Sequence, residues 1–358
     1  MKTWDVIIVG GGIIGLSLAR ELHKRGSKVL VVESGQPGRE ASHAAAGMIA
    51  NCGGETPEEL KALAAASAAL YPEFAREIEG EAGSSVDLRS EGSILLGDEG
   101  VGADSGSAVS RERLSELEPD LAWENGTAVW VPERSVDPRL LVTAVLKACK
   151  HRGVDIVSGS RVTSIAVEEG KVTGVSTEKT AYLAEKVVNC AGAWSGGIAP
   201  LHFPTRPIKG QMLSVAMPSQ KFLSHVVRSQ EIYLVPRSDG RLLIGATVED
   251  AGFDKRTEPL TIQRMHGAAL RLMPGLQSSR TLEDWAGLRP GTSDGLPILG
   301  ETKVRGYFVA TGHFRDGILL TPATAVVVAQ LLLGERPEYD VSAFSPNRFD
   351  SELTTKSA

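Results

Sequence analysis

The chain of 358 residues is long enough for about two domains with real apolar cores. Its net charge of -6 is made of both signs scattered along the sequence, so no basic face is available for nucleic acid or an anionic membrane, and neither is expected as a partner. The three cysteines, Cys52, Cys149 and Cys190, form no CxxC pair, which argues against a disulfide framework or a zinc site and for a reducing, cytoplasmic setting.

The chain opens on an apolar run, residues 4–9 (WDVIIV), followed at once by glycines and by a helical pattern that puts Ile14, Leu18 and Leu22 on one face. Residues 28–32 make the next buried strand, so the first 33 residues read as a βαβ unit. Asp5 and the glycines stand where the apolar stretch of a cleavable signal peptide would be, and none is expected. Residues 41–50 (ASHAAAGMIA) are small and polar-poor, suited to a backbone passing close to something large and flat. Helical spacing covers 56–79, with Pro57 suited to a first turn. Short strands and loops follow from 84 to 132. Asp137 and Pro138 then cap and open a helix to about His151. A meander of strands is expected over 155–157, 161–167, 171–177 and 182–189, and a strand-rich stretch over 205–287 includes a hairpin turning at Ser238, Asp239 and Gly240. A last buried strand, 307–310, leads through Thr311 and Gly312 into a helix around 322–333. That apolar stretch is too short, and too interrupted by Pro322, Thr324 and Gln330, for the roughly 20 residues of a membrane span.

Gly10, Gly12 and Gly15 fit G-x-G-x-x-G between a strand and a helix, where bare backbone lets a diphosphate approach the N–H groups and positive dipole end of that helix, with Ile13 and Ile14 in its first turn. Glu33 ends the second strand 18 residues after Gly15, close to the spacing at which a carboxylate takes the ribose hydroxyls of an adenosine. The motif alone fits NAD or FAD. The distant segments 44–48, 189–194 (NCAGAW, with Ala191, Gly192 and Trp194) and 311–317 (TGHFRDG) favour one long cofactor buried along its length. His313 reads as packing or capping rather than as a base, and His43 and His266 have no partners at metal-ligand spacing, so no metal site is expected.

The strings VGGGIIG, AAAGM, AGAW, YLVPR, WAGLRPGTSDGLPILG and GHFRDGILLTP resemble the FAD-dependent amino acid oxidases of the glycine oxidase, D-amino acid oxidase and sarcosine oxidase group, and the glycine oxidases of thiamine biosynthesis most of all. The resemblance spans nearly the whole chain. It implies an α/β fold: a Rossmann-type FAD-binding domain of the glutathione-reductase kind (1–83, 136–204 and 288–358), with a second, antiparallel-sheet α+β substrate domain (84–135 and 205–287). It implies further that Glu33 holds the adenosine ribose, that Ser34, Arg39, Ser42, Ala46, Gly47 and Met48 run along diphosphate and flavin, and that Val162 meets the adenine through its backbone. Phe314, Arg315 and Asp316 would neighbour the flavin, and N–H groups near Gly317, Ile318 and Leu319 would face its pyrimidine, where reduction develops negative charge. Arg289 would pair with the substrate carboxylate, Tyr233 would add a hydroxyl, and Arg315 would lie at the pocket.

A planar guanidinium binds a carboxylate bidentately and so orients an amino acid as well as holding it. With Cα held against flavin N5, the neutral amine lone pair can drive hydride loss without a protein base at carbon. The resemblance thus implies oxidation of glycine, sarcosine or D-alanine to oxo acid and ammonium, with dioxygen reduced to hydrogen peroxide, supply of the thiazole branch of thiamine biosynthesis, and a homotetramer. No cysteine follows Cys190, so the flavin is expected to be non-covalent. Two other readings stay open on the residues alone: a dehydrogenase of the same fold passing electrons to a quinone or carrier, and a flavoprotein tRNA-modification or binding module.

Overall fold

The computed structural model describes residues 2–51, 56–98, 106–124 and 126–349; Cys52 and residues 53–54 lie outside them. Five strands form the parallel centre of a first eight-stranded sheet, in the order Tyr307–Thr311, Ala181–Asn189, Thr3–Val9, Val29–Val32, Asp155–Val157. Ile298–Glu301 adds an antiparallel edge, and the Val162–Glu168 and Lys171–Thr177 meander branches from Ala181–Asn189. The register sets Val9 beside both Val32 and Asn189, and Asn189 beside Val309, so four strands end along one edge. The turns that follow them, after residues 9, 32, 189 and 311, therefore converge, and the carboxyl edge of such a sheet is where α/β proteins take their ligands.

Four helices, Ile13–Lys24, Glu58–Ala82, Pro138–Arg152 and Thr321–Leu333, share one apolar cluster with this sheet. Each boundary follows from local chemistry. Asp137 accepts from Arg139 N at 2.8 Å and Leu140 N at 3.2 Å, and Pro138 lacks the N–H that would otherwise be orphaned there. Pro57 is the N-cap of the second helix rather than part of its first turn, and left-handed Gly83 (φ +63°) ends it. Thr321–Leu333 is buried nearly all round. Among the described residues no helix is long and apolar enough to cross a membrane.

The second eight-stranded sheet runs Thr281–Gly291, Arg206–Ala216, Arg241–Gly245, Tyr233–Pro236, Val226–Arg228, Ser93–Gly97, Thr127–Val131, Ser107–Ala108. All neighbours are antiparallel except Val226–Arg228 with Ser93–Gly97. The Tyr233–Pro236 and Arg241–Gly245 hairpin closes through Arg237 N to Arg241 O at 2.9 Å, with Gly240 left-handed at the turn. Two helices stand where the sequence suggested only strands and loops. Pro259–Leu272 buries Met265, Ala268, Ala269 and Leu272 against the sheet, a spacing of three and four that strand neighbours on both sides disguise. Arg111–Leu117 starts at Ser110, whose hydroxyl accepts from Arg113 N at 3.2 Å. The strand Thr281–Gly291 is continuous through 287/288, the position at which the sequence suggested a change of domain.

Candidate active site

A cavity of about 1560 Å³ extends from the carboxyl edge of the parallel sheet to the inner face of the second sheet. At one end the strand Thr3–Val9 delivers the glycine loop. Gly10 has φ +106°, and a Cβ there would sit 2.5 Å from the Cys190 carbonyl oxygen. A Cβ on Gly15 would lie 2.1 Å from the Gly10 carbonyl oxygen, so this glycine lets the helix close on the loop and does not itself face the cavity. The first turn of the helix has orphan N–H groups. Gly12 offers no side chain to cap them, and Ser42 Oγ accepts from Ile13 N at 2.9 Å instead. The N–H groups of Gly12 and Ile14 donate to no described atom, leaving a cradle for an anion.

Glu33 stands at the end of the neighbouring strand. Its carboxylate accepts from Gly11 N at 2.7 Å, Gly35 N at 2.8 Å and the Ser34 hydroxyl at 3.0 Å, which fixes it beside the loop with lone pairs left for a ribose. Val162 lines the cavity with Thr163 and Glu178, while Ala191, Gly192 and Trp194 line the wall after the strand Ala181–Asn189. Arg39 lies outside the lining and bonds His43 Nε2 at 2.9 Å.

In the middle of the cavity, residues 44–48 turn their carbonyls outward. Trp285 Nε1 donates to Ala44 O at 3.0 Å, Arg237 Nη2 donates to Ala46 O, and Val136 N donates to Gly47 O at 2.9 Å. Ala46, Gly47 and Met48 all line the cavity. Gly47 has φ +78°, and a Cβ would lie 1.9 Å from the Val136 carbonyl oxygen. Across from them is the turn 312–320, tied to the Arg289 strand by Phe314 N to Pro290 O at 3.0 Å. His313, Phe314, Arg315, Asp316, Gly317 and Ile318 line the cavity, and the buried Leu319 side chain does not. The N–H groups of Gly317, Ile318 and Leu319 donate to no described atom, three preset donors for an acceptor edge. His313 Nε2 meets Thr324 Oγ1 at 3.2 Å, and burial lowers its pKa to about 3, so it is a neutral packing group.

The far end is built from side chains on separate strands of the second sheet. Arg289 Nη1 donates to Thr247 O at 3.0 Å and Lys209 O at 3.4 Å. The guanidinium lies over Gly210, where a Cβ would approach Nη1 to 2.3 Å. Burial lowers the Arg289 pKa below its usual value; the Tyr233 phenol beside it pulls the other way and the Arg315 cation adds to the lowering. Among the described residues no carboxylate pairs with Arg289. Tyr233 fits over Gly245, whose missing Cβ would fall 2.7 Å from the phenol ring and hydroxyl, and burial raises its pKa against the pull of Arg289 and Arg315. Arg315 packs over the Phe314 ring at 5.4 Å. Trp194 and Phe253 stack at 5.3 Å on the lining.

The structure thus brings Arg289, Tyr233 and Arg315 together at one end of a cavity whose other end is the glycine loop. Sequence reasoning passed over Gly210, Thr247 and Phe253. Only Gly210 carried a signal, since a glycine in mid-strand marks a close approach. The cradles at Gly12–Ile14 and Gly317–Leu319, at separate places on one continuous cavity, fit a long dinucleotide with an anionic centre and an acceptor-rich ring.

The family model for FAD dependent oxidoreductases matches residues 5–331. The chain is 36% identical to the bifunctional protein ThiO/ThiG of Trichormus variabilis (strain ATCC 29413 / PCC 7937), over 99% of this chain and 56% of that protein. It spans about half the length of such bifunctional relatives. It is 35% identical to the glycine oxidase of Geobacillus kaustophilus (strain HTA426), over 96% of this chain and 97% of that one. A crystal structure of glycine oxidase from Geobacillus kaustophilus superposes with a TM-score of 0.92 at 32% identity, covering 97% of this chain and 99% of that one.

Proposed function

Because the chain belongs to the family of FAD-dependent oxidoreductases, with FAD as its cofactor, we propose that it is an oxidase of glycine and similarly small amines such as sarcosine and D-alanine. The observation that carries this reading is Arg289, a desolvated guanidinium with no carboxylate partner among the described residues, held at the end of the cavity beside a phenol. When bound, FAD supplies the two-electron acceptor and passes the electrons on to dioxygen as hydrogen peroxide.

The chain's own residues bind and orient. Arg289 takes the substrate carboxylate; its Nη1 is already committed to Thr247 O and Lys209 O, which fixes the direction of its remaining donors. Tyr233 adds a hydroxyl to the same carboxylate, and Arg315 keeps the local potential positive. The orphan N–H groups of Gly317, Ile318 and Leu319 would hold the flavin pyrimidine, those of Gly12 and Ile14 the diphosphate and Glu33 the ribose, and Val162 would border the adenine. Ala191, Gly192 and Trp194 close one wall. Residues 1–83, 136–204 and 288–358 serve the cofactor in this reading, and 84–135 with 205–287 serve the substrate.

The reading extends to a cytoplasmic enzyme that supplies the thiazole branch of thiamine biosynthesis and assembles as a homotetramer. A peroxide assay of the yellow purified protein across glycine, sarcosine, D-alanine and D-proline tests the core of it. Peroxide formed in step with glycine consumed is the expected result. Failure of every one of these amines to bleach the flavin anaerobically would overturn it.

A further inference from the structure

Arg237 is one of the largest fully buried side chains, at 1% exposure, yet it has no part in the reading above. It stands at the hairpin turn of the second sheet and reaches across to the cofactor-lining segment, where Nη2 donates to Ala46 O. Its Nε and Nη1 have no hydrogen-bond partner among the described residues. The two carboxylates that face it are engaged elsewhere. Asp137 accepts from Arg139 N, Leu140 N and, at 2.6 Å, Arg241 Nη2, while Asp87 accepts from Ser238 N at 3.2 Å and the Ser238 hydroxyl. Arg241 and Arg89 add further positive charge around it. Burial lowers the Arg237 pKa to about 10, which still leaves it a cation at neutral pH.

A buried guanidinium with two orphan donors is costly, and the facing Asp137 and Asp87 carboxylates offset its charge without taking those donors. The route to the cavity is one peptide group. The Ala46 carbonyl and the Gly47 N–H belong to the same trans unit and point in opposite directions. With Arg237 behind the carbonyl, the Gly47 N–H is turned to the cavity, where it donates to no described atom. A cation on the carbonyl polarises the amide and makes its N–H a stronger donor. Two electrons and one proton turn a neutral oxidised flavin into an anion, so such a donor, and the charge behind it, favour the reduced form.

We propose that Arg237 is a positioning residue that sets the reduction potential of the bound flavin, by clamping the Ala46 carbonyl so that the Gly47 N–H is presented to the cofactor in front of a buried positive charge. The proposal needs FAD in this cavity and is independent of which amine is oxidised.

The test is the flavin midpoint potential of the holoprotein, measured by reductive titration against a reference dye with no amine present. Arg237→Met is expected to shift the reduction equilibrium at least tenfold toward the oxidised form, a fall of about 30 mV, and Arg237→Lys, which keeps the charge, to recover most of it. Asp87→Asn removes a facing negative charge from a partly exposed turn and is expected to shift the equilibrium about threefold the other way, a rise of about 15 mV. A purely structural Arg237 would move the unfolding temperature of these variants and leave the potential alone. An unchanged potential in Arg237→Met overturns the proposal. If that variant does not retain FAD, Asp87→Asn decides: a raised potential supports the proposal, and a potential at or below wild type overturns it. Because no amine enters the titration, failure of glycine oxidation would leave this result intact.

Discussion

The two ends of the cavity are made of different material. At the glycine-loop end the groups on offer are backbone N–H donors, and the residues that matter are glycines whose missing Cβ lets chain meet chain: Gly15 against the Gly10 carbonyl, and Gly10 against the Cys190 carbonyl. At the Arg289 end the groups are side chains, Arg289 and Tyr233, lowered over the glycines of other strands, Gly210 and Gly245. A backbone site tolerates no change of shape and little depends on any one side chain. A side-chain site keeps its shape when a side chain is cut back but loses its chemistry.

The sharpest way to break that contrast is Gly15→Val. The obstructing atom, 2.1 Å from the added Cβ, is a backbone oxygen and cannot swing away. FAD affinity should fall by more than about 100-fold, and the protein should purify without its yellow colour. Holoprotein of normal FAD affinity, measured by titrating flavin fluorescence, would show that the loop is not a close-packed cradle. Next in size is Arg289→Ala, which removes charge-assisted hydrogen bonds worth about 1.5 to 3 kcal/mol each. It should lower kcat/KM for glycine by about tenfold to several hundredfold while FAD affinity stays within about twofold of wild type. Steady-state kinetics and the same flavin titration check both halves, and a variant with unaltered kinetics would remove Arg289 from the site.

The same contrast governs how much could be read from the sequence. Gly10, Gly12, Gly15 and Glu33 were legible because backbone packing dictates residue type at fixed spacing within one βαβ unit. The helix starting at Asp137 announces itself by capping chemistry, whereas the sequence reading ends the preceding helix at residue 79, short of its left-handed cap at Gly83. Arg289, Tyr233 and Arg315 came only through resemblance, since they meet across strands far apart in the chain and no local period joins them. Arg237 passed unnoticed because a buried cation and a surface one are the same letter. The helix Pro259–Leu272 was missed because a short amphipathic run between long strands reads as more of the same.

A third effect concerns the desolvated middle of the cavity. His313 is neutral, with its pKa pushed by burial down to about 3 from an unfolded value near 6.5. Over that interval the unfolded chain binds the proton more readily than the folded one, so folding is favoured above pH 6.5 and loses that contribution as the pH falls toward 3. The slope is about 1.4 kcal/mol per pH unit at most. His313→Asn should therefore flatten the acid limb of the stability profile between about pH 6 and pH 4, read from urea unfolding of the holoprotein across that range. A variant that loses stability with acid as steeply as wild type would place the imidazole in contact with water.

The smallest expected effect probes the glycine loop again, through the side chain that caps its helix. Ser42 Oγ accepts the Ile13 N–H at 2.9 Å, doing for this helix what Gly12 cannot. Removing an N-cap acceptor costs about 1 kcal/mol when nothing replaces it. In the holoprotein as proposed above something would, because a diphosphate at the neighbouring orphan donors could take the Ile13 N–H itself. Ser42→Ala should therefore lower the unfolding temperature of the apoprotein by about 2 °C and that of the holoprotein by less, with FAD affinity reduced no more than about fivefold. Paired thermal unfolding with and without FAD checks the difference. A loss of FAD affinity as large as that of Gly15→Val would mean that the serine hydroxyl, not the backbone, carries the phosphate, and the division between a backbone end and a side-chain end would have to be redrawn.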